Sequence, residues 1–217
     1  MQGLARAAKL GQREGPVPAL STSPLTGVEL LRQRVVGALA PLVDSMFATF
    51  ASQTRQPPSV EAYRELLAFE ANFYSDEPAA MDHYRRTAQM DSSYLFPLLR
   101  FVLVASNRGD TPRYDSAVAV LRPRRERMTL FEQAYFDNAV CITAVDQEPC
   151  VTATKEMLRL SPKSQNVAYL YGVSLRRVNR PHADSVLRRL DPTSGELAGR
   201  VFLIEHASAA AVDWFTC

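Results

Sequence analysis

A helix-ending phrase recurs three times in this chain and constrains its fold more than any other feature. It reads RRTAQMDS at 85–92, KEMLRLSP at 155–162 and VLRRLDP at 186–192. Each copy is charged and amphipathic, and it closes with an aliphatic residue, a short polar residue and then Ser or Pro. Ser92 and Pro162 lie two units of roughly 35 residues apart, and a period in this range is typical of stacked helical hairpins.

Apolar periodicity and capping signals predict the first helix and the division of the chain. Residues 1–25 are rich in Gly and Pro and are expected to form a flexible lead-in. A capping box at Thr26 and Glu29 predicts the start of a lead-in helix over 26–50, which Pro41 kinks or ends. Residues 59–217 are predicted to form one helical repeat domain.

The rest of the chain predicts about four helical hairpins and no strand. Their helices are expected at 60–74 with 79–90, 94–106 with 114–121, 130–145 with 149–160, and 166–178 with 182–190.

Four local signals mark the boundaries of these helices. Ser59 is the expected N-cap of the first, and Gly109 suits a left-handed residue after a helix end. Capping boxes at Thr129-Glu132 and Thr193-Glu196 predict two more helix starts, and the second of these helices runs toward Trp214. The sequence therefore predicts an all-α protein.

Charge and cysteine content exclude several classes of protein. The net charge of the 217 residues is +2, so nothing in the balance of charges favours nucleic acid. No stretch approaches the roughly 20 apolar residues of a membrane helix, and the first residues do not resemble a signal peptide. Three cysteines exclude a full disulfide framework. Cys141 and Cys150 are expected on neighbouring helices, either as buried thiols or as a pair.

No pattern in the chain predicts catalysis, a metal or a cofactor. Neither the dinucleotide-binding nor the phosphate-binding glycine motif occurs, and the three histidines lack the spacing of a zinc site. Cys150 and His182 form no nucleophilic motif. A basic cluster at 122–127 is either a solvated loop or a site for phosphate or an acidic peptide. We therefore expect a protein that is not an enzyme.

The hairpins resemble the tetratricopeptide repeat, which alternates two helices over 34 residues and places small residues where they touch. With Ser92 at the terminal position of a repeat, Ala68 and Ala80 fall at small-residue positions and Tyr84 at the aromatic one. Pro162 gives a weaker match, because Asn138 falls where a small residue is expected. The resemblance implies an α-α superhelix of about four TPR-like hairpins, with a lead-in helix and a C-terminal helix.

A narrower resemblance concerns bacterial polypeptides in which a TolB-like region precedes degenerate repeats, behind a protein-kinase or transcription-regulator head. It is carried by LLRQRVVGAL at 30–39, PPSVEAYRELL at 57–67, NRP at 179–181 and LDP at 190–192. It implies that the lead-in helix ends a missing upstream region and that the chain is a fragment or a short relative. The compartment is then cytoplasmic for a full chain, or extracytoplasmic behind a membrane-anchored head.

The repeat resemblance also implies a function and a binding face. First helices of such repeats line a concave surface, which here places the following residues in contact with a partner: Glu65, Asn72, Asn166, Tyr169 and Arg176. The expected role is a non-catalytic scaffold that binds a protein or peptide, regulatory or sensory in a bacterial assembly. The alternative is a structural spacer within a kinase or transcription regulator. Neither nucleic-acid binding nor membrane insertion is expected of this segment, and its partner and oligomeric state stay open.

Overall fold

A computed structural model describes residues 24–43, 58–72 and 77–197, and these ranges are helical without any strand. The all-α prediction is confirmed. The helices are α1 (Pro24–Val43), α2 (Val60–Asn72), α3 (Glu77–Met90), α4 (Phe96–Asn107), α5 (Thr111–Leu121), α6 (Leu130–Cys141), α7 (Glu148–Leu160), α8 (Gln165–Leu175) and α9 (Arg180–Leu187). Short 3-10 helices occupy Arg122–Arg127 and Gly195–Leu197.

Helices that follow each other in the sequence pack together as pairs. α2 packs on α3, α4 on α5, α6 on α7, and α8 on α9, while α1 packs on α2 and further contacts join α4 to α6 and α7 to α8. The second helix of each pair begins with a residue followed by proline, at Pro78, Pro112, Pro149 and Pro181. Proline suits the first turn, where its missing N–H has no helical acceptor. The proline signal therefore marks every second helix, and it also occurs at Pro97 in the first helix α4.

Three of the expected boundary signals are confirmed. The Ser59 hydroxyl accepts a hydrogen bond from the backbone N–H of Ala62 at 3.2 Å, at the start of α2. The box before α6 is complete, since Thr129 Oγ1 accepts from the N–H of Glu132 and the Glu132 carboxylate accepts from the N–H of Thr129. Gly109 follows α4 with a φ of 67°, which lies in the left-handed region.

Two other capping boxes are wrong. α1 begins at Pro24, so Thr26 lies inside the helix and is not its N-cap. The Glu196 carboxylate accepts hydrogen bonds from Ser164 Oγ at 2.6 Å and from the N–H of Asn166 at 3.1 Å. It therefore caps the start of α8, and the described part of its own segment forms a 3-10 turn at Gly195–Leu197.

Several predicted ends also shift, and α6, for example, ends at Cys141, four residues earlier than expected. α1 continues through Pro41 to Val43, and residues 44–50 of the predicted lead-in helix lie outside the described residues. The predicted helix toward Trp214 and most of the 1–25 lead-in lie outside the described residues.

The hydrophobic core runs through the first helices α2, α4 and α6. Its most completely buried large side chains include Phe69, Leu99 and Tyr135. A nearly buried ion pair crosses this core, because Arg100 donates to both Glu70 carboxylate oxygens at 2.7 and 3.1 Å. Burial works against the charge of Arg100, but the Glu70 carboxylate outweighs it and raises the pKa of the guanidinium. Removing one member of such a pair costs about 3–5 kcal/mol.

A disulfide bond joins the end of α6 to the start of α7. Cys141 and Cys150 are bonded, with their Cα atoms 5.5 Å apart, and both side chains are buried. Of the two alternatives that the sequence left open, the structure shows the paired one.

Candidate functional site

The two predicted site residues on α2 form contacts within the helix pair α2–α3. Glu65 Oε2 lies 2.7 Å from His83 Nδ1 and accepts a hydrogen bond from Arg86 Nε at 2.9 Å. The hydrogen bond with His83, helped by the charge of Arg86, holds the pKa of this carboxyl below its usual value. Asn72 donates its side-chain amide to the carbonyl oxygen of Ala68 at 2.8 Å.

The three predicted site residues on α8 have different environments. Asn166 is buried at 2% exposure, and its backbone N–H is bound by Glu196. Tyr169 packs against the small apolar cluster formed by Leu187, Leu190 and Leu197, and Arg176 is half-buried at the end of α8. Since α2 and α8 do not pack together, the structure divides the five residues into two separate groups. Their role in binding a partner stays a prediction.

A groove of about 630 Å³ lies among α3, α4 and α5 on a different part of the surface. Its floor is aromatic and aliphatic, because Tyr84 stacks on Phe101 with ring centroids 4.5 Å apart and Leu98 lies beside them. Burial raises the pKa of Tyr84 to about 12, so its hydroxyl stays neutral at physiological pH. This size falls in the range of pockets that bind small ligands or peptide side chains.

Three arginines border this floor, and we call the site the arginine-rimmed groove. They are Arg85 on α3, Arg113 on α5 and Arg124 on the first 3-10 helix. The one carboxylate of the lining, Asp91, is 3% exposed and bound by Arg34 at 2.6 Å. The exposed charges of the lining itself are therefore positive, and Asp82 and Asp110, which pair with Arg85 and Arg113, lie outside the lining.

A second groove of about 610 Å³ lies between α6 and α7, and we call it the acidic groove. Leu130, Ala134 and Pro149 contribute apolar surface. Its charged lining residues are four carboxylates and one arginine, namely Asp137, Asp146, Glu148, Glu156 and Arg125. The acidic groove therefore presents the opposite sign of charge.

The two grooves occupy corresponding positions in successive helix pairs. Nine lining residues of one correspond to nine of the other at a constant offset (133 − 97 = 36). The pairs are Tyr94 and Leu130, Pro97 and Gln133, Leu98 and Ala134, Phe101 and Asp137, Pro112 and Glu148, Arg113 and Pro149, Ser116 and Thr152, Ala117 and Ala153, and Val120 and Glu156. The helix pairs thus repeat the position of the groove but not its chemistry.

Sequence reasoning found part of the arginine-rimmed groove and missed the rest. The sequence places Tyr84 at an aromatic repeat position and Arg124 in a basic cluster, but no pattern in it points to Leu98 or Phe101 as site residues. The proline at the start of each second helix was the available signal. Aligning Pro112 with Pro149 superimposes the sequence of α4–α5 on that of α6–α7. This alignment differs by one residue from the offset of 36 that relates the two grooves.

The described residues hold no group of three or more His, Cys, Asp or Glu side chains arranged to bind a metal ion. In the same part of the chain, every helix is too short or too polar to cross a membrane. Comparisons with protein families, with curated proteins and with solved structures gave no match to this chain.

Proposed function

We propose that this chain is a non-catalytic, TPR-like helical scaffold that binds a protein or peptide partner. The observation that carries the proposal is the arginine-rimmed groove, which leaves an apolar floor open beside the packed core. Val120 at its edge is 44% exposed, and the Tyr84–Phe101 stack lies beneath. Covering such a floor with apolar side chains contributes about 25 cal/mol per Å² of buried surface.

The repeated pairing of helices supports a TPR-like arrangement of hairpins. Each pair presents its neighbour with a further helix surface, and arrays of this kind offer extended binding surfaces. Such arrays bind rather than transform their partners, which fits a groove bordered by arginines whose lining holds neither His nor Cys and whose one carboxylate, Asp91, is bound by Arg34. A regulatory or sensory role in a bacterial assembly follows from the sequence resemblance.

A peptide library displayed on phage tests this function. The wild-type chain is expected to enrich peptides with roughly micromolar Kd. Ser116→Trp places an indole at an exposed position of the arginine-rimmed groove and is expected to weaken their binding at least roughly tenfold. The matched control is Thr152→Trp, at the corresponding exposed position of the acidic groove.

Two outcomes count against the proposal. The first is a library that yields no binder above background, and the second is a set of binders that Ser116→Trp and Thr152→Trp affect equally.

A structural spacer is the second candidate, and α1 favours it. The apolar side chains of Val28, Leu31, Val35 and Leu39 follow one face of α1 and are 49–64% exposed. On another face, Arg34 holds α1 to Asp91, and a Cβ added at Gly37 would lie 1.9 Å from the carbonyl oxygen of Pro58. α1 would then contact another folded unit, as the spacer role requires. A spacer binds no peptide in the grooves, so the phage experiment separates the two candidates.

A further inference from the structure

The arginine-rimmed groove combines apolar and charged features in a way that specifies a partner. Tyr84, Phe101 and Leu98 form an apolar floor. The three arginines of the lining border this floor. Apolar side chains of a bound segment would bury the floor, while groups at their flanks would meet guanidinium groups. Guanidinium groups bind carboxylates with paired, directional hydrogen bonds.

The rim arginines can change partners at small cost. Arg85 pairs with Asp82, and Arg113 with Asp110, each across one helical turn. Both arginine side chains are at least half exposed, and exposed pairs of this kind contribute only about 0–1 kcal/mol. Arg124 donates to the carbonyl oxygen of Ser92 at 3.5 Å, and no carboxylate of the described residues pairs with it.

The buried carboxylate at the end of the groove does not offset this charge. Asp91 accepts hydrogen bonds from Arg34, from the N–H and hydroxyl of Ser93, and from the N–H of Ser59. These groups use its oxygens and hold them away from solvent. A bound segment therefore meets three cations and no accessible lining anion.

The acidic groove provides an internal comparison, because its lining residues occupy corresponding positions in the next helix pair and carry the opposite charge. Where the arginine-rimmed groove has Phe101 and Val120, the acidic groove has Asp137 and Glu156. The acidic groove repels a segment that carries carboxylates, whereas the arginine-rimmed groove attracts it. The two grooves therefore differ in the sign of charge that they offer to a ligand.

From these contacts we infer that the arginine-rimmed groove binds a peptide segment whose apolar anchor residues are flanked by carboxylates. The inference rests on the proposed function, since it names the partner class of that same groove. It adds a sign of charge, which the proposed function leaves open.

Two synthetic peptides test the inference. They share the same Leu and Phe anchors and differ only in having Glu or Lys at every flanking position. Fluorescence anisotropy with the full chain is expected to show at least a roughly tenfold preference for the Glu peptide at low salt. The preference is expected to shrink as salt is raised, because screening weakens exposed charge pairs. An oligonucleotide of equal negative charge is the third probe.

Charge variants assign the preference to the groove. The triple variant Arg85→Glu, Arg113→Glu, Arg124→Glu is expected to reverse the preference, while Arg125→Glu, on the rim of the acidic groove, is expected to retain it. Circular dichroism checks that the triple variant is folded. Arg113→Lys and Arg113→Gln provide a milder pair, of which the neutral residue is expected to reduce the preference more than lysine, which keeps the charge but not the paired hydrogen bonds.

The possible results separate this inference from the proposed function. Equal binding of both peptides, preference for the Lys peptide, or no binding of either overturns the inference. Oligonucleotide binding as tight as that of the Glu peptide also overturns it. Phage-selected peptides that bind the groove without carboxylates leave the proposed function standing, whereas a library without binders contradicts that function itself.

Discussion

The arginine-rimmed groove and the acidic groove share one backbone register and differ in the side chains that line it. Leu98, Phe101 and Val120 in the first correspond to Ala134, Asp137 and Glu156 in the second. In the first groove the aromatic ring at this register is part of the core, whereas in the second the carboxylate forms an exposed ion pair. Helix pairing therefore sets where a groove forms, and individual substitutions set what it can bind.

The largest expected difference between the grooves concerns the corresponding residues Phe101 and Asp137. Phe101 is 6% exposed and stacks on Tyr84, so Phe101→Ala is expected to lower the free energy of unfolding by about 3–5 kcal/mol. Asp137→Ala removes an ion pair whose side chains are both 45% exposed, and its expected cost is below about 1 kcal/mol. Urea unfolding measures both, and equal losses would show that the two positions are not structurally different.

Reduction of the disulfide is expected to affect the acidic groove and leave the other groove intact. The bond spans nine positions of sequence, and opening a loop of this length lowers the free energy of unfolding by about 2–3 kcal/mol in the chain-entropy description. Hydrogen exchange is expected to speed up at the α6–α7 junction and not in α3 or α5. The Cys141→Ser, Cys150→Ser variant is the control, because a reductant should not destabilise it further.

Acid is expected to weaken the arginine-rimmed groove through Asp91. Burial works against the charge of this carboxyl, but hydrogen bonds from Ser93 and the charge of Arg34 together lower its pKa below 3.8. Its stabilising effect is therefore present above the unfolded-state pKa and is lost as pH falls through the lower folded-state pKa.

Asp91→Asn is thus expected to cost about 2 kcal/mol at neutral pH. The gap between wild type and variant is expected to close in acid, as seen by urea unfolding across a pH series. A gap that stays constant with pH would rule out the ionised carboxylate as its source. Asp137→Asn, with its exposed carboxylate, is the matched control.

The smallest expected effect concerns the rim of the acidic groove. Arg125 donates to both oxygens of Asp137, at 3.2 and 2.7 Å, and the hydrogen bonds raise the pKa of the guanidinium. Because solvent reaches both groups, Arg125→Ala is expected to change the free energy of unfolding by less than about 1 kcal/mol. The change should vanish in roughly 1 M salt, and a larger or salt-independent loss would show that Arg125 supports the fold in another way.

Local signals could be read from the sequence because their causes are local. Ser59 and the Thr129–Glu132 box bind backbone N–H groups within three residues, so their chemistry is present in the sequence itself. The prediction of a capping box at Thr193–Glu196 is wrong because the fold brings the start of α8 within reach of Glu196. The first N–H groups of α8 have no acceptor inside that helix, and Glu196 binds there instead. A capping residue can therefore be recognised in the sequence without its helix being known.

The grooves could not be read directly, because each is formed by residues that lie far apart in the chain. The floor of one needs Tyr84 from α3 and Phe101 from α4, and both have the spacing of ordinary core residues. Likewise, the predicted face of Glu65 and Asn166 rests on a repeat register, while the contacts of these residues, across α2–α3 and at the start of α8, come from the tertiary fold. Tertiary contacts, which the sequence alone does not display, determine both outcomes.

The bond between Cys141 and Cys150 also makes the junction of α6 and α7 a closed ring of covalent bonds. A single cut of the backbone between the two cysteines therefore yields two chains that remain one molecule. The new ends would emerge beside Asp146 and Glu148, at the edge of the acidic groove. That junction is a natural place to attach a fluorophore or splice in a foreign sequence without separating the helices on either side.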